Sequence, residues 1–196
     1  ISYSCSVDGN VLAWDINTLK IQHKFLLPCA NINSMELHKD LLLCCTKDCI
    51  LVTKKSGLLF KRVEILENIR KMGSSFYGIQ LFAEKEQLWV FCTAGNEISI
   101  FEMNDLSKAP SKVVLQDCTQ ITCMLRVKQQ IWVGSKGISQ GKQKGKIYVI
   151  NAEKKTVEKE LVAHMDIVNS LCSAEDRYVL SGSGKEDGKV AIWKVE

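Results

Sequence analysis

Proline and long apolar runs are scarce in this chain of 196 residues. It holds two prolines, and no apolar stretch approaches the roughly 18 residues that a membrane-spanning helix needs. An initiating methionine, a signal peptide and a lipidation motif are also absent. Because Ile1 already lies in a strand-like run, we expect the chain to be a piece of a longer polypeptide.

Cysteine pairs with metal-ligand spacing are absent as well. The nine cysteines are odd in number, none forms a CxxC motif, and the chain has only three histidines. Most of the thiols lie in apolar runs such as LLLCCT, where a free cysteine acts as a small hydrophobic residue. This pattern predicts buried thiols rather than disulfides or a metal site. It indicates no cofactor and a reducing compartment, the cytoplasm.

A strong excess of charge of one sign is the third feature that is missing. The net charge is +4 and the isoelectric point is about 8.5, which is too weakly basic to indicate a nucleic-acid partner. Hydrophobic residues make up 46% of the chain, enough for the core of one domain or of two small ones. We therefore expect a globular chain that binds no nucleic acid.

A repeated motif is the most informative feature that is present. SVDGNVLAW and KEDGKVAIW share one spacing, in which Asp8 and Asp187 each stand six residues before a tryptophan, Trp14 and Trp193. The intervals between successive copies are 40, 47, 49 and 43 residues, a period typical of propeller blades. The weaker copies between the two ends place another residue at the tryptophan position: Lys54, Phe101 and Ile150.

Each repeat contains short β-branched or alternating runs bounded by turn residues. They predict an all-β chain of eighteen strands, divided three, four, four, four and three. One competing pattern, RVEILENIRKM at 62–72, has helical spacing and indicates a short helix there. The predicted units are 1–28, 29–71, 72–118, 119–163 and 164–196.

These motifs resemble the WD40 repeat, most strongly at the two ends of the chain. The resemblance implies a β-propeller made of four-stranded blades. The chain would supply about four and a half blades of a seven-bladed ring, the rest being absent or supplied by a partner. It also implies a hydrogen-bonded structural tetrad in the last unit, with Ser183 as the alternative hydroxyl: His164, Ser181, Asp187 and Trp193.

The same last unit holds a serine, a histidine and an aspartate, which could instead be interpreted as a hydrolase triad. The G-x-S-x-G nucleophile elbow of such enzymes is absent, and a tetrad of this kind is expected to be buried. Carboxylates elsewhere show no pairing typical of acid–base catalysis. We therefore predict no catalytic residue and a chain that is not an enzyme.

Residues 116–196 are similar to the C-terminal WD40 region of DENN domain-containing proteins, especially in GKIYVI and KTVEKELVAHMD. The resemblance implies a parent that is a guanine-nucleotide exchange factor for a Rab GTPase, with the exchange module outside this chain. The chain would then be a protein-interaction and regulatory module in membrane traffic, cytoplasmic and peripheral to endomembranes. Its partners would be other domains of the parent and a Rab GTPase pathway component. The alternative is a WD40 scaffold that binds phosphoinositide or another protein in an unrelated cytosolic complex.

The sequence of one stretch in the fourth unit, SKGISQGKQKG at 135–145, predicts a long irregular loop. It lacks the G-x-x-x-x-G-K-[ST] pattern of a phosphate-binding loop. It is interpreted either as a solvated, mobile insertion or as a basic contact for an acidic partner or, weakly, an anionic membrane. The basic residues concerned are Lys136, Lys142, Lys144 and Lys146.

Overall fold

In a computed structural model, which describes residues 1–28, 31–56, 59–64, 76–92 and 94–196, the chain is built of β-strands. A single 3₁₀ turn, Ala83–Lys85, is the one helical element among these residues. The strands in chain order are β1 (Ser2–Cys5), β2 (Asn10–Trp14), β3 (Ile21–Leu26), β4 (Ile32–His38), β5 (Leu41–Thr46), β6 (Cys49–Lys54), β7 (Leu59–Glu64), β8 (Phe76–Phe82), β9 (Gln87–Cys92), β10 (Glu97–Glu102), β11 (Ser111–Val114), β12 (Cys118–Val127), β13 (Gln130–Ser139), β14 (Lys142–Asn151), β15 (Thr156–His164), β16 (Val168–Ala174), β17 (Tyr178–Ser183) and β18 (Val190–Lys194).

The strands form five antiparallel sheets that follow one another along the chain. They contain three, four, four, four and three strands, and within each sheet neighbouring strands are consecutive in sequence. The predicted all-β class is confirmed, and the described residues contain eighteen strands, the number predicted. Of the predicted helix at 62–72, residues 62–64 lie in β7, and 65–72 lie outside the described residues. No helix in the described part has the length and apolar character needed to cross a membrane.

Alternate residues of one strand pack against different neighbouring sheets. In β5, Leu42 and Cys44 pack toward the first sheet, whereas Leu43 and Cys45 pack toward the third. Since both faces of this sheet are covered, the strand is apolar at nearly every position, which explains the run LLLCCT.

The core is divided into four apolar clusters, one between each pair of consecutive sheets. Within the described part of the chain, two sheet faces have no neighbouring sheet: one on the first sheet and the other on the last. Apolar side chains lie exposed there, such as Leu26, which is 67% exposed, and Ile192, which is 69% exposed. Burial between sheets is thus the main source of stability, because it removes most of the apolar surface from water.

The prediction of an irregular loop at 135–145 is wrong. The stretch belongs to two paired strands, β13 and β14, and the turn between them is only Gln140 and Gly141, whose φ angles are 52° and 70°. Two consecutive residues with positive φ give the tight turn that suits a twisted hairpin. Strand alternation then divides the basic residues between two faces, with Lys136 on one and the other three lysines on the opposite one.

The eight described cysteines are free thiols, and most of them are buried or half-buried, as the apolar sequence context predicts. Burial raises the pKa of the Cys118 and Cys123 thiols to about 11, so both stay protonated near neutral pH. Among the described residues, no three His, Cys, Asp or Glu side chains come together in a way that could hold a metal ion.

Candidate functional site

The last sheet brings the four predicted tetrad residues together in one chain of hydrogen bonds. His164 ends β15 and places its Nδ1 2.9 Å from Oδ2 of Asp187, which lies in the turn before β18. Its Nε2 lies 2.7 Å from Oγ of Ser181 in β17, and the Trp193 indole donates to the same oxygen at 2.8 Å. Ser181 is fully buried and His164 is 1% exposed, so the network is shielded from water.

The order of donors in this network follows from the chemistry of its two ends. An indole N–H can only donate, so the Ser181 oxygen accepts from Trp193 and its own hydrogen is free to point to the imidazole. At the other end, the hydrogen bond with His164 lowers the pKa of the Asp187 carboxyl, which therefore accepts from Nδ1. Because a hydrolase triad has the same order of donors, burial decides between the two interpretations: Ser181 is fully buried and its oxygen already accepts from the Trp193 indole, so a substrate cannot reach it. The geometry thus favours a framework over a hydrolase triad.

The first sheet contains half of the same network, which the sequence analysis missed. The Trp14 indole donates to Oγ of Ser4 at 2.8 Å, and the strand register makes Ser4 the counterpart of Ser181. This pair lies on the open face of the first sheet and is partly exposed. A shared Ser-x-Ser pattern, at 4–6 and at 181–183, is the signal that could have revealed it.

A buried ion pair lies in the fourth sheet, at the position where Lys146 was expected to be exposed. The Lys146 ammonium is 2.6 Å from Oε2 of Glu160, and its side chain is only 5% exposed. It also lies 5.2 Å from the centre of the Tyr148 ring. Gly137 makes room for it, because a Cβ there would lie 2.7 Å from Cδ of Lys146. Lys146 therefore cannot contribute to a basic contact surface.

The two partners of this ion pair should respond unequally to substitution. Glu160→Gln leaves a buried ammonium without a counter-charge, and we expect the free energy of unfolding to fall by about 2 kcal/mol. Lys146→Met leaves a carboxylate that is 41% exposed and can be hydrated, so we expect a change within about 1 kcal/mol. Urea denaturation of both variants measures the difference, and equal losses would contradict it.

A row of β-bulges lies at one end of the sheets. In each complete inner strand, β4, β8, β12 and β16, the pairing register skips one residue at the same position. A bulge turns the extra side chain away from the regular alternation, and bulges are over-represented beside binding sites. We call these four side chains the bulge row: Asn33, Tyr77, Thr122 and Asn169.

The bulge row borders two adjoining cavities. One, of about 230 Å³, is lined by residues of the third, fourth and fifth sheets, and the other, of about 190 Å³, extends the row to Asn33. Tyr77 and Thr122 line both. None of the described residues around either cavity carries a formal charge. The surface therefore offers amide and hydroxyl groups beside aromatic and aliphatic side chains.

Neighbouring elements hold this row in place. The Thr122 hydroxyl donates to the carbonyl of Val168, which ties β12 to β16. The Tyr77 and Phe91 ring centres are 5.9 Å apart, and Gly78 leaves space for the Phe91 ring, since a Cβ there would lie 2.2 Å from it. Sequence reasoning did not find the row, because a bulge depends on the pairing between strands and has no local signature.

Comparison with known proteins places these features in context. No protein-family model matches the chain. It is 52% identical over 194 residues to DENN domain-containing protein 3 from Mus musculus. The match covers 99% of this chain but only 15% of the mouse protein.

Solved structures with 13–16% sequence identity share the fold. The β-propeller domain of Myceliophteria thermophila Cps50 (Swd1) has a TM-score of 0.75, 16% identity, and coverage of 99% of this chain and 62% of that chain. Saccharomyces cerevisiae Sqt1 has a TM-score of 0.71, 15% identity, and coverage of 99% and 55%. A chain of the mitotic checkpoint complex has a TM-score of 0.72, 13% identity, and coverage of 99% and 60%. The described part of the chain thus forms part of a WD40 β-propeller, with three complete four-stranded blades flanked by two three-stranded sheets, and it is similar to a segment of a DENN domain-containing protein.

Proposed function

We propose that the chain is a non-enzymatic protein-interaction and regulatory module that binds its partner at the bulge row. The observation that carries the proposal is the repetition of one bulge in four neighbouring strands, which aligns four hydrogen-bonding side chains beside two cavities. Side chains held by rigid strands keep their geometry on binding, so little ordering entropy is lost.

The similarity to a DENN domain-containing protein supports a more specific role. We propose that the module serves a Rab guanine-nucleotide exchange factor in membrane traffic, with the exchange activity outside this chain. Its partners would be other domains of the same polypeptide and a component of the Rab pathway. It would act in the cytoplasm beside endomembranes, in weak contact with an anionic membrane surface.

A binding measurement with the rest of the related polypeptide tests this function. The chain is titrated with the part of the mouse relative that it does not match, and complex formation is measured by calorimetry. We expect association, weakened about tenfold or more by the double variant Tyr77→Ala/Asn169→Ala, because central interface side chains carry most of the binding energy.

The matched control removes the same two side-chain types at the opposite end of the sheets. Tyr178 is 43% exposed, close to the 46% of Tyr77, and Asn104 lies exposed in the turn after β10. Tyr178→Ala/Asn104→Ala should leave the affinity unchanged. The proposal fails when no association is detected, or when both double variants bind as tightly as the unchanged chain.

A further inference from the structure

The hairpin of β13 and β14 projects beyond the other sheets at the end that carries the bulge row. Ser135 corresponds in register to Ser183, where β17 ends, but β13 continues for four more residues, a distance of about 13 Å. The flanking strands support it only as far as Gly137 and Gly145. The Ile138 N–H still donates to the carbonyl of Asp117 at 2.9 Å, whereas residues 139–143 have no pairing partner among the described residues outside the hairpin.

The stretch of sequence that forms this projecting hairpin is basic, and the nearby Asp117 and Asp166 contact its base through their carbonyl oxygens, near Ile138 and Gly145. Residues 118–152 include six lysines and arginines but no aspartate or glutamate. Arg126 pairs with Glu84 and Lys146 with Glu160, both away from the hairpin tip. The lysines around the tip, Lys136, Lys142 and Lys144, have no ion pair among the described residues.

The hairpin also exposes an apolar side chain between its lysines. Ile138 is 43% exposed and pairs with Gln143, one residue pair from the turn. It lies on the same face as Lys136, while Lys142 and Lys144 project from the opposite face. The tip itself is polar, with Ile138 one residue pair behind it and lysines on both faces. Basic residues on both faces of a narrow projection suit an anionic surface that the hairpin meets with its tip, because a flat protein surface would contact only one of the two faces.

We propose that the β13–β14 hairpin contacts an anionic phospholipid surface through Lys136, Lys142, Lys144 and Ile138. The inference rests on the proposed placement of the chain beside endomembranes and identifies the residues that face the lipid. Three lysines and one aliphatic side chain give a weak, reversible contact, because stable anchoring needs stronger or additional signals. The contact would orient the bulge row relative to the membrane instead of anchoring the chain.

Vesicle sedimentation tests this contact. The chain is mixed with vesicles made of equal parts phosphatidylcholine and phosphatidylserine, and separately with vesicles of phosphatidylcholine alone. We expect preference for the anionic vesicles, which decreases as salt is added. Changing all three lysines to glutamine should weaken this binding by roughly a hundredfold, at about fivefold for each lysine near the surface.

The control applies the same charge change at the opposite end of the sheets, with Lys20, Lys128 and Lys154 changed to glutamine. These side chains are exposed in turns at that end. The control should bind anionic vesicles as the unchanged chain does. Equal losses in the two triple variants, or equal binding to both kinds of vesicle, would overturn the proposal.

Substitutions of Ile138 separate insertion from charge attraction. Ile138→Asp should weaken binding to the anionic vesicles, and Ile138→Trp should strengthen it, because tryptophan prefers the membrane interface. Identical affinities for both variants would refute lipid contact at the tip. The bulge-row variant Tyr77→Ala/Asn169→Ala should keep its vesicle binding, so failure of the membrane contact and failure of partner binding are distinguishable.

Discussion

Replacing Ser181 with alanine lowers the free energy of unfolding by about 3 kcal/mol. The fully buried hydroxyl connects His164 with Trp193, and its loss leaves an imidazole nitrogen and an indole N–H without partners in a site closed to water. Each unsatisfied buried polar group costs about 1–3 kcal/mol. Urea denaturation followed by circular dichroism measures the change.

Ser4→Ala is the matched control for this prediction. It removes a serine that accepts from Trp14 at the same 2.8 Å, but the bond lies on the open face of the first sheet. Water can replace the hydroxyl there, so we expect a loss of about 0.5 kcal/mol. Similar losses in the two variants would mean that burial does not set the strength of the network.

Gly145→Ala should destabilise the chain by about 3 kcal/mol or more, since an added methyl group in a tight site forces the backbone to shift. A Cβ at this position would lie 2.1 Å from the carbonyl oxygen of Asp166, and 3.0 Å from both the His164 Cβ and a Val168 methyl group. The obstacle is backbone from the linker that carries the hydrogen-bonded network. The shift should therefore disturb that network as well, and thermal unfolding measures the combined loss.

Gly141→Asn provides the comparison at the tip of the same hairpin. No heavy atom of the described residues lies within 4 Å of a Cβ there, and the φ of 70° is one that asparagine tolerates better than other residues with a side chain. We expect a change within about 0.5 kcal/mol. If Gly145→Ala lowered the free energy of unfolding as little as this, the backbone at Asp166 would have to move aside at almost no cost in free energy.

The strands were predictable because their signals are local. The alternation in NVLAW and KVAIW, and the Asp-Gly steps before them, specify hairpins without knowledge of distant residues. The shared spacing of Asp8 and Trp14 with Asp187 and Trp193 marked the repeat, and the tetrad residues were then implied by its resemblance to the WD40 repeat. The distances that join Asp187 and Trp193 to His164 and Ser181 then follow from strand register.

The features that sequence reasoning misjudged depend on pairing between strands. Glycine and lysine at 134–146 indicated a solvated loop, but backbone pairing between β13 and β14 overrides that composition. The burial of Lys146 depends on Glu160 in the next strand, and the bulge at Tyr77 depends on the register of β8 against β9. No local sequence pattern marks Glu160 as the partner of Lys146, and none marks the register of β8 against β9.

Alternate side chains of each strand face different neighbouring sheets, so the outer faces of the first and the last sheet are not equivalent. One open face presents the Ser4–Trp14 hydrogen bond, and the opposite open face presents Val190 and Ile192. Because these faces differ, one symmetric contact between two copies of the chain covers one kind of face and leaves the other kind open. Contact between the two kinds of face leaves one of each unused, and such an assembly ends only when the sheets close into a ring. Covering both kinds of face at once therefore requires a closed ring of sheets and not a single contact between two copies.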